Sequence, residues 1–262
     1  MEDLKDVYDD HYFSNEEFFN EETKHLYGYV DYISERINKQ YIYSKIVRQA
    51  KDLLQLNLKQ MLNKPRWLDI GCGLGYLVDV AFDNGFAVKG TEFNEHAVQY
   101  MRSKYVYPVE CGIIEDIEFD GKFDVVSMMD VIEHLQDPFG DLIRIKELMN
   151  TGGILIILTM DSDSLMSRIL GKRLEDFRRF REHLFFFGQK SLRTVLDQHG
   201  FEVQSIHSIG HTFQLKLLID RIGVYSPLLS KIISKLIYPR WLLEANFYIN
   251  PHTKMILFAR KV

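Results

Sequence analysis

The pattern Gly71-x-Gly73-x-Gly75 and the carboxylate Glu92 are residues whose types and spacing imply chemistry. Glycines at alternate positions strip Cβ atoms from a turn, so main-chain N–H groups can approach a ligand closely. In doubly wound folds a carboxylate about twenty residues further on accepts hydrogen bonds from ribose hydroxyls. The ligand expected here is of nucleotide type, cradled by bare amides between Asp69 and Tyr76 with Glu92 on its sugar. A second set of residues can take a proton: Asp130 and His134, with His183 later in the chain. Such a base serves an oxygen nucleophile and is typically worth ~10²–10⁴-fold in rate. A third set is cationic. Arg168, Lys172, Arg173, Arg178, Arg179 and Arg181 crowd one stretch, and arginine's planar fork suits phosphate or carboxylate.

These groups need elements to hold them. Trp67 to Ile70 reads as a short strand covered on both faces, running into the glycine turn and then a helix. Leu77, Val78, Ala81 and Phe82 fall on one face of that helix, and Gly85 suits its left-handed end. Phe86 to Thr91 is the next strand and delivers Glu92. Asn94 caps a helix running to about Lys104. Tyr107 to Ile113 forms a third strand, followed by Ile114-Glu115-Asp116. Phe123 to Met129 is a fourth, which places Asp130 and His134 beyond its carboxyl end, where doubly wound sheets hold ligands. Asp137-Pro138 opens a helix that Gly152-Gly153 closes before a fifth strand, Ile154 to Leu158.

Upstream, a helical pattern from Glu35 to Leu62 puts Ile37, Tyr41, Val47, Leu54, Leu58 and Met61 on one face, with Arg48 as a solvated charge. Lys64-Pro65 ends it. Residues 1–36 are acidic and aromatic, a composition that favours a packed helical arm over disorder. Downstream, Leu192, Val195 and Leu196 face inward on a helix ending at Gly200. Phe201 to Ile209 and Lys254 to Lys261 are strands. Between them, Leu228, Leu229, Ile232, Ile233 and Leu236 form an apolar stripe opposite Lys231 and Lys235. That stripe is expected to pack on the domain or on a second subunit, with peripheral membrane contact as the minority reading.

Asp69 to Gly75, Glu92, and Asp124-Val-Val-Ser-Met-Met-Asp130-Val-Ile-Glu133-His134-Leu together resemble the class I S-adenosylmethionine-dependent methyltransferases, in order and spacing, over most of Trp67 to Val203. Tyr12-Phe13, Tyr27-x-Tyr29 and Glu182-His183-Leu184 are similar to the branch of ubiquinone-biosynthesis and bacterial sugar or cell-surface-glycan O-methyltransferases. The resemblance implies a doubly wound, Rossmann-like α/β fold with seven mostly parallel strands and an antiparallel last strand. An N-terminal helical lid (1–62) precedes the core (63–210), and a helical insert (211–250) precedes the last strand (251–262).

By the same resemblance, S-adenosylmethionine lies on Asp69, Gly71, Cys72, Gly73, Gly75, Glu92, Phe93 and Met129, and S-adenosylhomocysteine is the product. Glu115 or Asp116 reads the adenine, and Tyr12 and Tyr29 cover the methionine end. His134 is the first choice of base, with Asp130 and His183 behind it; Arg178, Arg179 and Arg181 bind the acceptor. No metal is expected, because no three-ligand cluster stands out in the sequence. No Asn-Pro-Pro-Tyr-like signature follows the fourth strand, which favours oxygen over nitrogen as the methylated atom, with carbon still open. The expected reaction is O-methylation of a small anionic acceptor, such as a nucleotide-linked sugar in polysaccharide biosynthesis. Two alternatives stand beside it: an NAD-dependent oxidoreductase on a similar fold, and a catalytically silent cofactor-binding partner.

Composition bounds these readings. The 262 residues allow one large α/β domain with additions, and 46% hydrophobic with 26% charged residues is ordinary for a globular protein. A net charge of −5 recruits no nucleic acid. The two cysteines, Cys72 and Cys111, are expected to form no disulfide framework, which with the acidic start sets the expectation of a cytoplasmic protein; a monomer or homodimer is expected.

Overall fold

The computed structural model describes residues 36–55, 63–174, 177, 182–215, 219, 223, 226–236, 243 and 246–262. Tyr12 and Tyr29 of the amino-terminal arm, and Arg178, Arg179 and Arg181, lie outside the described residues.

Seven strands form one sheet in the order β3-β2-β1-β4-β5-β7-β6. They are β1 (Arg66–Ile70), β2 (Ala87–Glu92), β3 (Val109–Cys111), β4 (Phe123–Met129), β5 (Met149–Met160), β6 (Phe201–Gln214) and β7 (Asn246–Lys261). The pairs β1–β2, β1–β4, β2–β3 and β4–β5 are parallel, and β7 runs antiparallel to both β5 and β6. The order reverses between β1 and β4, and there Ile70 pairs with Met128. The turns leaving β1 and β4 therefore share one edge of the sheet, the switch point where doubly wound folds bind ligands.

The helices are α1 (Arg36–Leu54), α2 (Tyr76–Asp83), α3 (Glu95–Lys104), α4 (Pro138–Leu148), α5 (Leu165–Leu170), α6 (Gln189–Gln198) and α7 (Pro227–Leu236). One apolar layer joins Ile46, Val47, Ala50, Leu77 and Val78 to Trp67, Val125 and Ile156 on the sheet. The opposite layer joins Leu142, Ile145, Leu192 and Leu196 to Leu68, Val126 and Leu155. Strand residues bury alternately toward the two layers, which is why β1, β4 and β5 read as continuous apolar runs. Caps fall where the side chains allow: Asn94 Oδ1 accepts from Ala97 N at 3.0 Å, and Asp137 Oδ1 from Gly140 N at 3.0 Å.

Several elements differ from the sequence expectation. On α1 it is Ile42, Ile46 and Ala50 that pack inward with Val47, whereas Tyr41 is exposed with Lys45 Nζ 4.2 Å from its ring centre. Phe82 is exposed too, whereas Val80, not expected inward, is buried on α2. Helix α4 ends at Leu148, before Gly152-Gly153. Met149 already pairs with Phe123, and the register shifts before Val125 meets Ile154. The glycines thus turn the chain within the entry to β5: Gly152 has φ +81°, and a Cβ on Gly153 would lie 2.9 Å from the Asn150 carbonyl. Strand β3 is three residues, Val109 to Cys111, because only that stretch pairs with Gly90 to Glu92.

Strands β6 and β7 run past their expected ends, pairing from Phe201–Lys261 to Gln214–Asn246. The segment placed at 211–250 therefore begins and ends as a two-stranded ribbon. Helix α7 forms as expected, yet Leu228, Leu229, Ile232 and Leu236 are exposed on it. Among the described residues, no helix is long and apolar enough to cross a membrane.

Candidate active site

The turn after β1 is held open by backbone geometry. Gly71, Gly73 and Gly75 take φ of +64°, +54° and +78°, a region in which side chains are strained. A Cβ on Gly71 would also lie 2.5 Å from Val131 Cγ2, in the turn after β4. Close approach of these two turns therefore requires glycine. The loop amides are not a bare row of donors, as expected from sequence. Cys72 N donates to the Thr91 carbonyl at 2.9 Å, Gly75 N to the Cys72 carbonyl at 2.9 Å, and Gly73 N to Glu92 Oε2 at 2.8 Å. Internal hydrogen bonds fix the shape of the loop before any ligand arrives. Gly75 is the amino-terminal cap of α2, so the positive end of that helix faces out of the turn.

Glu92 is buried at the end of β2, and its Oε1 accepts from Asn94 N at 2.9 Å. Burial pushes its carboxyl above the usual carboxylate range, opposed by donation from the main chain of Asn94, Gly73 and Phe93. Three main-chain donors on about four lone-pair sites leave room to accept from a ribose hydroxyl. Asp69 is buried at the foot of the loop. Ser127 Oγ donates to Asp69 Oδ1 at 2.5 Å while accepting from Trp67 Nε1 at 2.8 Å. Burial raises the Asp69 carboxyl to about 7; the Ser127 hydroxyl opposes the shift and the charge of Glu92 adds to it.

Cys72 packs its Sγ 3.5 Å from Met101 Sδ, and burial pushes its thiol well up, so it lines the loop as an apolar group. Phe93 and Met129 are half-buried at the same edge, at the ends of β2 and β4. Glu115 and Asp116 are exposed in the turn after β3, above the buried Ile114. Arg48 is exposed on α1.

The second half of the site grows from the end of β4. Asp130 sits at φ +57°, its N donating to the Leu158 carbonyl at 2.8 Å, and its Oδ1 takes Lys254 Nζ from β7 at 2.8 Å. A 3₁₀ turn, Ile132–His134, follows. The carbonyl of Glu133 accepts from Leu184 N at 2.8 Å and Phe185 N at 3.1 Å, which latches the segment before α6 onto this turn. His134 Nδ1 meets the Glu182 carbonyl at 2.9 Å, and the rings of His134 and buried His183 meet edge to face, 4.7 Å between centroids. The three residues named from sequence as proton acceptors thus lie around one turn.

Sequence reasoning missed two residues here. Glu133 is buried beneath the turn, and its carboxyl is raised to about 8 by burial and by the charge of Asp130, against the opposing charge of Lys254. Lys254 gave no local signal, because only strand order brings it beside Asp130. Nor was a ligand cluster expected, yet Glu133, His134 and His183 each offer a donor atom within 4.8 Å of one another.

A model of the methyltransferase domain matches residues 41–206. The ubiquinone biosynthesis O-methyltransferase of Rhodopseudomonas palustris (strain HaA2) is 34% identical over 122 residues, 45% of this chain and 46% of that protein. The tRNA U34 carboxymethyltransferase of Alteromonas mediterranea is 29% identical over 160 residues, covering 55% and 47%. The chain spans about half the length of these curated relatives. Among solved structures, magnesium protoporphyrin IX methyltransferase from Synechocystis PCC 6803 with bound SAH aligns over 99% of this chain and 100% of its own, at TM-score 0.59 and 18% identity. A SAM-dependent methyltransferase from Archaeoglobus fulgidus covers 88% and 100%, with TM-score 0.56 and 19% identity. These likenesses show the fold, and the family model covers well over half of the sequence, so this chain belongs to the methyltransferase-domain family, in its class I S-adenosylmethionine-dependent form.

Proposed function

We propose that the chain transfers the methyl group of S-adenosylmethionine to an oxygen of a small anionic acceptor. The observation that carries this reading is the juxtaposition of two built halves at the switch point: the Gly71–Gly75 turn locked to Glu92, and the Asp130–His134 turn beside it. The residues present fit the cofactor. Glu92 has acceptor capacity left for a sugar hydroxyl, and Asp69 offers an ionisable carboxyl where a cationic amino acid end is expected. When bound, S-adenosylmethionine supplies a methyl group on a positively charged sulfur, already activated for transfer.

The chain then orients the acceptor, excludes water and takes a proton. Nδ1 of His134 donating to the Glu182 carbonyl makes Nε2 the basic nitrogen of the ring. His134 is the first choice of base on that account, with Asp130 and His183 behind it. Arg178, Arg179 and Arg181 remain the proposed anion contacts, on sequence alone. A nucleotide-linked sugar or glycan precursor, in the cytoplasm, is the acceptor class those charges favour.

A phenolic acceptor is the second reading, favoured by the printed name of the Rhodopseudomonas relative. Transfer of labelled methyl from S-adenosylmethionine to a panel of nucleotide sugars and catechols separates the two. Labelling of the sugars supports the first reading, and labelling of catechols alone overturns it. Thermal shift with S-adenosylhomocysteine against NAD excludes or restores the oxidoreductase alternative. A chain that binds S-adenosylhomocysteine but labels nothing alone, and does so only with a captured protein, is the silent partner.

A further inference from the structure

We propose that Tyr41, Lys45 and Arg48 on α1, with Tyr248 on β7, form a subsite for a nucleoside diphosphate, the end of the acceptor remote from the methylated oxygen. This deepens the proposed transfer to a nucleotide-linked sugar and rests on that reading. Met160 with Lys254 is the last pair that β5 makes with β7 toward the carboxyl edge, while β7 goes on pairing with β6 as far as Asn246. The β6–β7 ribbon thus projects past the edge at which Lys254 meets Asp130. Helix α1 starts at the same edge, where Tyr43 packs against Leu74 and Tyr76 at the glycine turn.

Lys45 Nζ lies 4.2 Å from the centre of the Tyr41 ring and 5.9 Å from that of Tyr248, joining helix to ribbon. Tyr41 is 57% exposed and Tyr248 51%, so both rings keep surface free for a planar base to stack on. Tyr248 is set in place by a bulge. The register shifts between Ile209 and His211, and the freed Gly210 N donates to the Tyr248 hydroxyl at 2.8 Å. A Cβ on Gly210 would overlap the Ile249 carbonyl, so this close approach requires glycine.

Tyr41, Lys45 and Arg48 fall at i, i+4 and i+7, one face of the helix, turned away from buried Ile46 and Ala50. From Arg36 to Lys51 the helix carries five cations, Arg36, Lys39, Lys45, Arg48 and Lys51, and no acid, in a chain of net charge −5. Lys45 and Arg48 are exposed, and among the described residues neither has a carboxylate partner. Three positions apart, their Cβ atoms stand ~5–6 Å from each other, close enough for both to engage one diphosphate. Cations and rings in one place suit a nucleotide better than a bare anion or an apolar surface. At most ~20 Å of strand separates Tyr248 from Lys254. These groups therefore hold the acceptor without touching the reacting oxygen, and their loss falls on KM.

The test titrates the full chain, with S-adenosylhomocysteine present, with UDP, GDP, CDP and dTDP by calorimetry. One of these is expected to bind at one equivalent, and inorganic pyrophosphate at least ~10-fold more weakly for want of a base to stack. K45E, R48E and Y248A each lose ~10-fold or more, and Y248F loses less than Y248A. K64E, which reverses a lysine beside the Phe82 ring, stays within about twofold. S-adenosylhomocysteine affinity reports folding in each variant, and K45Q stands in for K45E should that affinity fall. No binding of any diphosphate overturns the subsite. So does wild-type affinity in K45E, a loss in K64E as large as in K45E, or tighter binding of poly(U) RNA than of every diphosphate. Methylation of nucleotide sugars with an unaltered KM in K45E removes the subsite and leaves the transfer standing; methylation of catechols alone removes the transfer.

Discussion

Lys254 Nζ lies 2.8 Å from Asp130 Oδ1, which ties the last strand of the sheet to the turn after β4 across 124 positions of chain. Asp130 holds a left-handed backbone conformation there, at φ +57°, which aspartate tolerates better than most residues. The lysine therefore orients a carboxylate on the proposed acceptor side of the site. K254M is expected to lower kcat/KM by ~10-fold or more while leaving the S-adenosylhomocysteine Kd within about twofold. Steady-state kinetics paired with calorimetry checks it; equal losses in both would show general damage.

The glycine turn makes a sharper structural prediction. G71A forces a side chain into φ +64° and drives its Cβ against Val131. The backbone term alone costs about 1–2 kcal/mol, and overpacking adds to it. Cofactor binding should fall with stability. V131A in the same chain should recover part of the loss, a coupling that a double-mutant cycle measures directly. Additive effects would mean the two turns do not meet.

Asp69 predicts a pH dependence. Its carboxyl stands at about 7 in the folded chain, above its ordinary value of 3.8. Between those values the folded state holds a proton that the unfolded chain has released. The stabilisation is complete below about pH 4 and is lost as pH rises toward 7. Denaturant midpoints of the free protein from pH 5 to 8 should fall with pH, and D69N should flatten the slope. A cationic ligand favours the charged carboxylate, so S-adenosylmethionine binding near pH 7 should also release protons. Calorimetry in buffers of different ionisation enthalpy reads that release, and D69N should reduce it.

Reversing Arg178 and Arg179 to glutamate should raise the KM for an anionic acceptor at least several-fold, through lost charge-assisted hydrogen bonds, without changing cofactor affinity. Equal effects on both would remove these arginines from the acceptor site.

Much of this was legible from residue types. Continuous apolar runs gave β1 and β4 to the residue at Phe123–Met129, and Asn94 and Asp137-Pro138 marked two helix starts through local capping chemistry. What failed was long-range. Gly152-Gly153 looks like a helix end, but the pairing of Met149 with Phe123 stops α4 earlier, and that pairing lies 26 positions away. Tyr41 matches the helical period on α1, yet Ile42, Ile46 and Ala50 bury better against the sheet layer, and the tyrosine turns outward. Within the site, Glu92 and His134 were found by spacing. Glu133, Lys254 and the meeting of His183 with His134 depend on strand order and on the latch at the Glu133 carbonyl, which no local pattern encodes.

Calorimetric titration of S-adenosylhomocysteine and NAD into the wild type and E92A tests the cofactor cradle most directly. Expected are one site for S-adenosylhomocysteine, a loss of ~10–100-fold in E92A from the missing sugar hydrogen bonds, and no NAD binding. Preferential NAD binding, or E92A with wild-type affinity, would contradict it.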